Sequence, residues 1–97
     1  EKLVHQIQAA DENIEILLVS PILLGEGVGE EGYDPEFNQE SVETSKGLKA
    51  VYEQVAKRNG CAFLAASDYA KASGADREHL DENGHRQLAE AVLQRIA

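Results

Sequence analysis

The run Ile14-Glu15-Ile16-Leu17-Leu18-Val19 constrains this chain more than any other stretch. It is rich in branched residues and almost continuously apolar, without the alternation of a strand that is wet on one face. A strand of that kind is buried on both faces, the habit of a parallel sheet covered by helices. Ser20-Pro21 closes it, because proline has no N–H to donate to a ladder.

The flanking sequence supplies the covering layers. Over residues 1–10, Leu3, Val4, Ile7 and Ala10 recur at spacings of three or four and place one apolar stripe on a helix. Asp11-Glu12-Asn13 is a polar stop. A second helix is predicted from about Asn38 to Arg58, with Leu48, Val51, Tyr52 and Val55 as its stripe and Val42 and Ser45 extending it. Gly47 lies inside this helix at a cost of about 1 kcal/mol relative to alanine; close packing on the sheet would account for it. Asn59-Gly60 reads as a C-cap. Cys61-Ala62-Phe63-Leu64-Ala65-Ala66 is a second strand, although alanine is a poor strand former. Ser67 to Ala75 reads as irregular or as one short helical turn. A last helix starts near Asp81, a good N-cap, and runs to about Ile96, with Leu88, Ala89, Val92 and Ile96 on its apolar face. Helix, strand, helix, strand, helix with strands of parallel type predicts an α/β layered sheet.

At 97 residues the chain has room for one small domain and not two. Apolar residues make up 42% and charged residues 28%, which is globular rather than disordered composition. The formal net charge of -9 argues against nucleic-acid backbones and anionic membranes as partners. No apolar run approaches the length of a membrane span. A single cysteine, Cys61, forbids an internal disulfide and a cysteine-rich metal site, and it fits a reducing compartment such as the cytoplasm. The opening Glu1-Lys2-Leu3-Val4 lacks a methionine, so upstream sequence, with any targeting signal, is expected to have been removed.

Between the first strand and the second helix lies a loop, Ile22 to Phe37, with four glycines and five acidic residues. Within it, Gly27-Val28-Gly29-Glu30-Glu31-Gly32 matches the spacing of the dinucleotide fingerprint. The match fails on chemistry. That motif needs a helix N-terminus next, to turn N–H groups toward a pyrophosphate, whereas Tyr33-Asp34-Pro35 follows and Glu30 and Glu31 would repel the phosphate. A mobile surface loop, or a lid over a site, is the better reading.

The chemistry-bearing stretch is Asp76-Arg77-Glu78-His79-Leu80, after the second strand. Open α/β sheets place ligands at the carboxyl ends of their strands. An aspartate three residues before a histidine can orient the imidazole while the imidazole takes a proton from a hydroxyl. Spacing alone is a weak signal, since such pairs are more often helix capping beside a surface histidine. His85 falls near Leu88 and Val92 and reads as a packed, hydrogen-bonded histidine. His5 reads as surface. A metal site from Asp76, His79 and His85 is disfavoured, because the histidines are six apart rather than four. Ser20 ends a strand at the correct edge but lacks the strand–turn–helix elbow of a nucleophile. Cys61 opens the second strand, at the opposite edge, as a small core residue.

Residues 76–92, Asp-Arg-Glu-His-Leu-Asp-Glu-Asn-Gly-His-Arg-Gln-Leu-Ala-Glu-Ala-Val, resemble the last block of the SGNH hydrolases, the GDSL-type esterases and lipases. That block runs D-x-x-H-L, a polar turn, then a helix like G-H-x-x-L-A. The strand ending in Ser20-Pro21 also looks like the family's penultimate strand, and the remaining elements fall where the family places them. The resemblance covers essentially the whole chain. It implies a partial three-layer, flavodoxin-like parallel sheet, with residues 1–97 forming one partial domain, the C-terminal half of such a hydrolase. It implies a serine ester hydrolase acting on a small ester, with His79 as general base, Asp76 as its orienting partner, and no cofactor or metal. Arg77 stands where many members have glycine, a change that bears on access and leaves both catalytic positions in place. The larger departure is that no Gly-Asp-Ser block occurs here, and Asn13, Asn38, Asn59 and Asn83 lie outside any matching context for an oxyanion donor. Alone, the chain is expected to be inactive.

Two strands make a poor parallel sheet, and an apolar strand with an open edge invites association. The expected partner is the missing N-terminal half or a second copy of the chain. The rival reading is a non-catalytic α/β interaction module with a degenerate site.

Overall fold

The computed structural model describes all 97 residues. Helix α1 spans Lys2–Ala10, strand β1 Leu17–Ser20, helix α2 Gln39–Lys46, helix α3 Leu48–Arg58, strand β2 Ala62–Ala65 and helix α4 Glu82–Ile96; a 3-10 turn, Ala66–Asp68, follows β2. The two strands pair in parallel, with Leu17 opposite Ala62 and Ser20 opposite Ala65. They form the whole sheet, so each keeps a free edge. This is a small α/β fold: a two-stranded parallel sheet flanked by helices.

Local chemistry explains the element ends. Asn38 caps α2 through a reciprocal pair of bonds with Ser41, its side-chain oxygen taking the Ser41 N–H at 3.0 Å while Ser41 Oγ takes the Asn38 N–H at 3.2 Å. Asp81 caps α4, accepting the Gly84 N–H at 2.7 Å. Helix α3 stops at Asn59, and Gly60 follows at φ +69°, where a side chain would be strained.

The single helix expected over 38–58 is two helices, broken at Gly47. The Gly47 N–H bonds back three residues to the Thr44 carbonyl at 3.1 Å, a tightened last turn that ends α2. A Cβ at Gly47 would meet only that carbonyl, at an ordinary 3.6 Å, so packing on the sheet is not what selects glycine here.

The core is thin. Twelve of 97 residues are buried, and the radius of gyration is 15.2 Å, against about 12.5 Å for a compact domain of this length. Leu17, Leu18 and Val19, expected to be enclosed on both faces, are only half-buried, since β1 has a neighbour on one edge alone. Val51 in α3 stands 54% exposed, although the periodicity places it on the stripe, and Ala56 is buried instead. Along α4 the buried line runs Gly84, Leu88, Ala91 and Val92 rather than through Ala89 and Ile96, which are exposed. The two buried positions of α4, Gly84 and Ala91, are small residues that carry little hydrophobic signal in the sequence.

Candidate functional site

Asp76 to His79 forms a closed turn between the 3-10 turn and α4. The Ser73 N–H donates to the His79 carbonyl at 2.7 Å, and the Arg77 N–H donates to the Ser73 carbonyl at 2.9 Å. Within this frame Asp76 Oδ1 accepts the backbone N–H of Glu78 at 3.0 Å and of His79 at 2.9 Å. The Ser73 hydroxyl lies 3.4 Å from the same oxygen. These bonds orient the carboxylate, and its other oxygen, Oδ2, meets His79 Nδ1 at 2.5 Å. Sequence spacing brought these two residues together as a candidate pair, and the structure places them in direct contact.

The electrostatics follow from that contact. The two backbone N–H groups, then the His79 ring, hold the Asp76 carboxyl far below the usual carboxylate range. The hydrogen bond from His79 to Asp76, with the attraction of the carboxylate, raises the imidazole above its ordinary value. Nδ1 is committed to Asp76, so Nε2 is the nitrogen left to act on another molecule. The ring is accessible: the His79 side chain is 75% exposed. An exposed imidazole with a fixed carboxylate behind it can accept a proton from a hydroxyl or water and return it.

Two neighbours were not assigned roles by their spacing. Glu78 is tucked inward, with Oε2 buried and lacking a hydrogen-bond partner. Its burial, then the adjacent Asp34 carboxylate, push its carboxyl above the usual range. Arg77 has φ +63°, a left-handed backbone that residues with a Cβ rarely adopt. The only advance signal for it was an arginine where the resembled block commonly has glycine. Asp76, Glu78 and His79 bring three ligand-type atoms within 4.8 Å of one another. His85 is not among them; it is exposed and makes no side-chain hydrogen bond, which corrects the expectation of a packed histidine. It sits roughly 100° around the helix from Gly84, off the buried line. His5, as expected, is on the surface, paired with Asn59 Oδ1 at 2.8 Å. Ser20 is fully buried, with an unpartnered hydroxyl, and is closed to substrate in this chain.

The loop after β1 is packed rather than loose. Val28 has no exposed surface, and a Cβ on Gly29 would overlap the Phe37 carbonyl. No helix starts at Gly32, so the phosphate-binding geometry that the glycine spacing imitates is absent. The largest cleft, about 500 Å³, is lined at the roots of this loop by Pro21, Ile22, Leu24 and Phe37 and by residues of α2. Neither Asp76 nor His79 lines it. No helix is long and apolar enough to cross a membrane.

No protein-family model matches the chain, and no curated protein matches it at a significant level. Solved structures do. Est24, a carbohydrate acetylesterase from Sinorhizobium meliloti, superposes with a TM-score of 0.81 at 26% identity, over 98% of this chain and 46% of that one. A second solved structure gives 0.80 at 26% identity, over 97% of this chain and 46% of the other. A protein proposed to be an arylesterase, from Agrobacterium tumefaciens, shares the fold with a TM-score of 0.70 at 24% identity, over 98% and 45%. This chain spans about half the length of the proteins it matches. Over nearly its whole length, then, the chain is similar to about half of an esterase-like α/β protein.

Proposed function

We propose that this chain carries the acid–base half of a serine ester hydrolase of the SGNH type, built on a flavodoxin-like parallel sheet. The observation that carries the reading is the Asp76–His79 contact: a fixed carboxylate on Nδ1, an exposed Nε2, and a position after β2 at the carboxyl end of the sheet. The similarity to esterases supports the substrate class, a small ester.

In this mechanism His79 Nε2 takes the proton of a serine hydroxyl supplied from outside residues 1–97. The serine oxygen attacks the ester carbonyl, and backbone N–H groups hold the oxyanion. His79 returns the proton to the departing alcohol. It then takes one from water as the water oxygen adds to the acyl carbonyl. The acyl–serine C–O bond breaks to free the acid, and His79 gives the proton back to the serine oxygen. Asp76 stays ionised throughout. It keeps the Nδ1 proton in place and stabilises the imidazolium. A strand of the missing N-terminal half would pair with the free edge of β1 and cover the half-buried Leu17, Leu18 and Val19. A second copy of the chain could occupy the same edge but brings no serine block.

The test is His79→Ala in the protein as its gene encodes it. Ester hydrolysis should fall by roughly 10³-fold or more, with unchanged folding. Turnover near the parent level would refute the assignment of the base and leave a binding module.

A further inference from the structure

Arg77 joins two parts of the chain that the sequence separates by fifty residues. Its guanidinium donates from Nη1 to the Gly27 carbonyl at 3.0 Å, approaches Glu30 Oε2 at 3.3 Å, and lies 3.9 Å over the Tyr33 ring. Its own carbonyl accepts the Gly25 N–H at 2.7 Å. A Cβ on Gly25 or Gly27 would collide with Arg77, so the glycines are spaced to let the arginine in. The fastened loop does two things at once. Its roots, Leu24 and Phe37, wall the 500 Å³ cleft. Its interior meets the acid–base turn, with Gly25 on Arg77 and Asp34 beside Glu78. The left-handed backbone at Arg77 is tolerated because the side chain is held at three points. Glycine would meet the backbone requirement alone, so the side chain has a use beyond the turn.

Resting on the esterase reading above, we infer that Arg77 is a positioning residue that fastens the 25–33 loop across the Asp76–His79 turn, holding the loop as a fixed flank of the acid–base site rather than a lid. It acts through the loop and does not touch the reacting atoms. The experiment compares Arg77→Gly and Arg77→Lys with the parent in the protein as its gene encodes it. Glycine accepts φ +63° without strain, so the variant keeps its turn. Two readouts are taken: KM for a short-chain p-nitrophenyl ester, and the rate at which a glutamate-specific protease cuts after Glu30 or Glu31. With Arg77→Gly, KM should rise at least fivefold and cutting at least tenfold, with Arg77→Lys between glycine and parent on both. A partly unfolded population would lower apparent kcat and leave KM alone. Unchanged KM, unchanged cutting, or movement of only one of them overturns the inference. His79→Ala is assayed in parallel: if it keeps turnover the esterase reading fails, while the protease readout still decides whether Arg77 fastens the loop.

Discussion

Val28 sits in a glycine- and acid-rich loop, yet it has no exposed surface and is among the largest fully buried side chains in the protein. Val28→Ala removes two methyl groups from that site. At about 0.8 kcal/mol per buried group the transfer loss is about 1.6 kcal/mol. The incompletely collapsed cavity adds to this and brings the total to about 2 kcal/mol. The loop is closed by the Val28 N–H to the Gly25 carbonyl at 3.2 Å and by the Asp34 N–H to the Val28 carbonyl at 3.1 Å. Those amides report its opening directly. A loss of about 2 kcal/mol is roughly a 30-fold rise in the open population, read as 30-fold faster hydrogen exchange over residues 25–37. The assay is native-state exchange by mass spectrometry, and it needs no assumption about global two-state unfolding. If the loop were a loose surface segment, the same change would stay within about twofold. An exchange rate within twofold of the parent would refute the claim that Val28 anchors the loop.

Other outcomes follow from the same contacts. Asp76→Asn removes the carboxylate that fixes Nδ1, so hydrolysis should fall on the order of 10³–10⁴-fold, measured as kcat at saturating ester. The base must be neutral to act, so the parent's rate should climb with pH through a value above the ordinary histidine range; Asp76→Asn should shift that acidic limb downward in a pH–rate profile. The sign for stability is opposite for the two partners. The Asp76 contribution is present above the ordinary aspartate range and lost as pH falls through its depressed native value, while the His79 contribution is full below the ordinary histidine value and lost as pH rises through its raised one. Thermal melts across pH should show both losses, and His79→Ala should abolish the upper one. Asp81→Ala deletes the α4 N-cap and should cost about 1 kcal/mol, read from the urea midpoint at constant slope.

What the sequence revealed depended on how local the cause was. The caps at Asn38 and Asp81, the stop at Asn59-Gly60 and the parallel strand closed by Pro21 all arise within a few residues, and pattern reading finds them. The Asp76–His79 pair was legible for the same reason: both partners lie in one four-residue turn. Contacts set by tertiary approach were not. Val28, Arg77 and Glu78 owe their roles to a loop folding back across fifty residues of chain, and composition reads that loop as exposed. The α4 face was misplaced because its buried positions, Gly84 and Ala91, carry little hydrophobic signal. His85 was drawn inward in the same misreading. The half-buried β1 shows the reverse case: the sequence announces a central strand, and the chain supplies it with one neighbour.

The most direct test of the central claim is fluorophosphonate labelling of the protein as its gene encodes it, with the adduct mapped by mass spectrometry and the rate compared with His79→Ala. The account predicts one labelled serine outside residues 1–97, modified at least 10³-fold more slowly when His79 is absent. An adduct on Ser20 or any other residue of this chain, a rate indifferent to His79, or no adduct at all would contradict it.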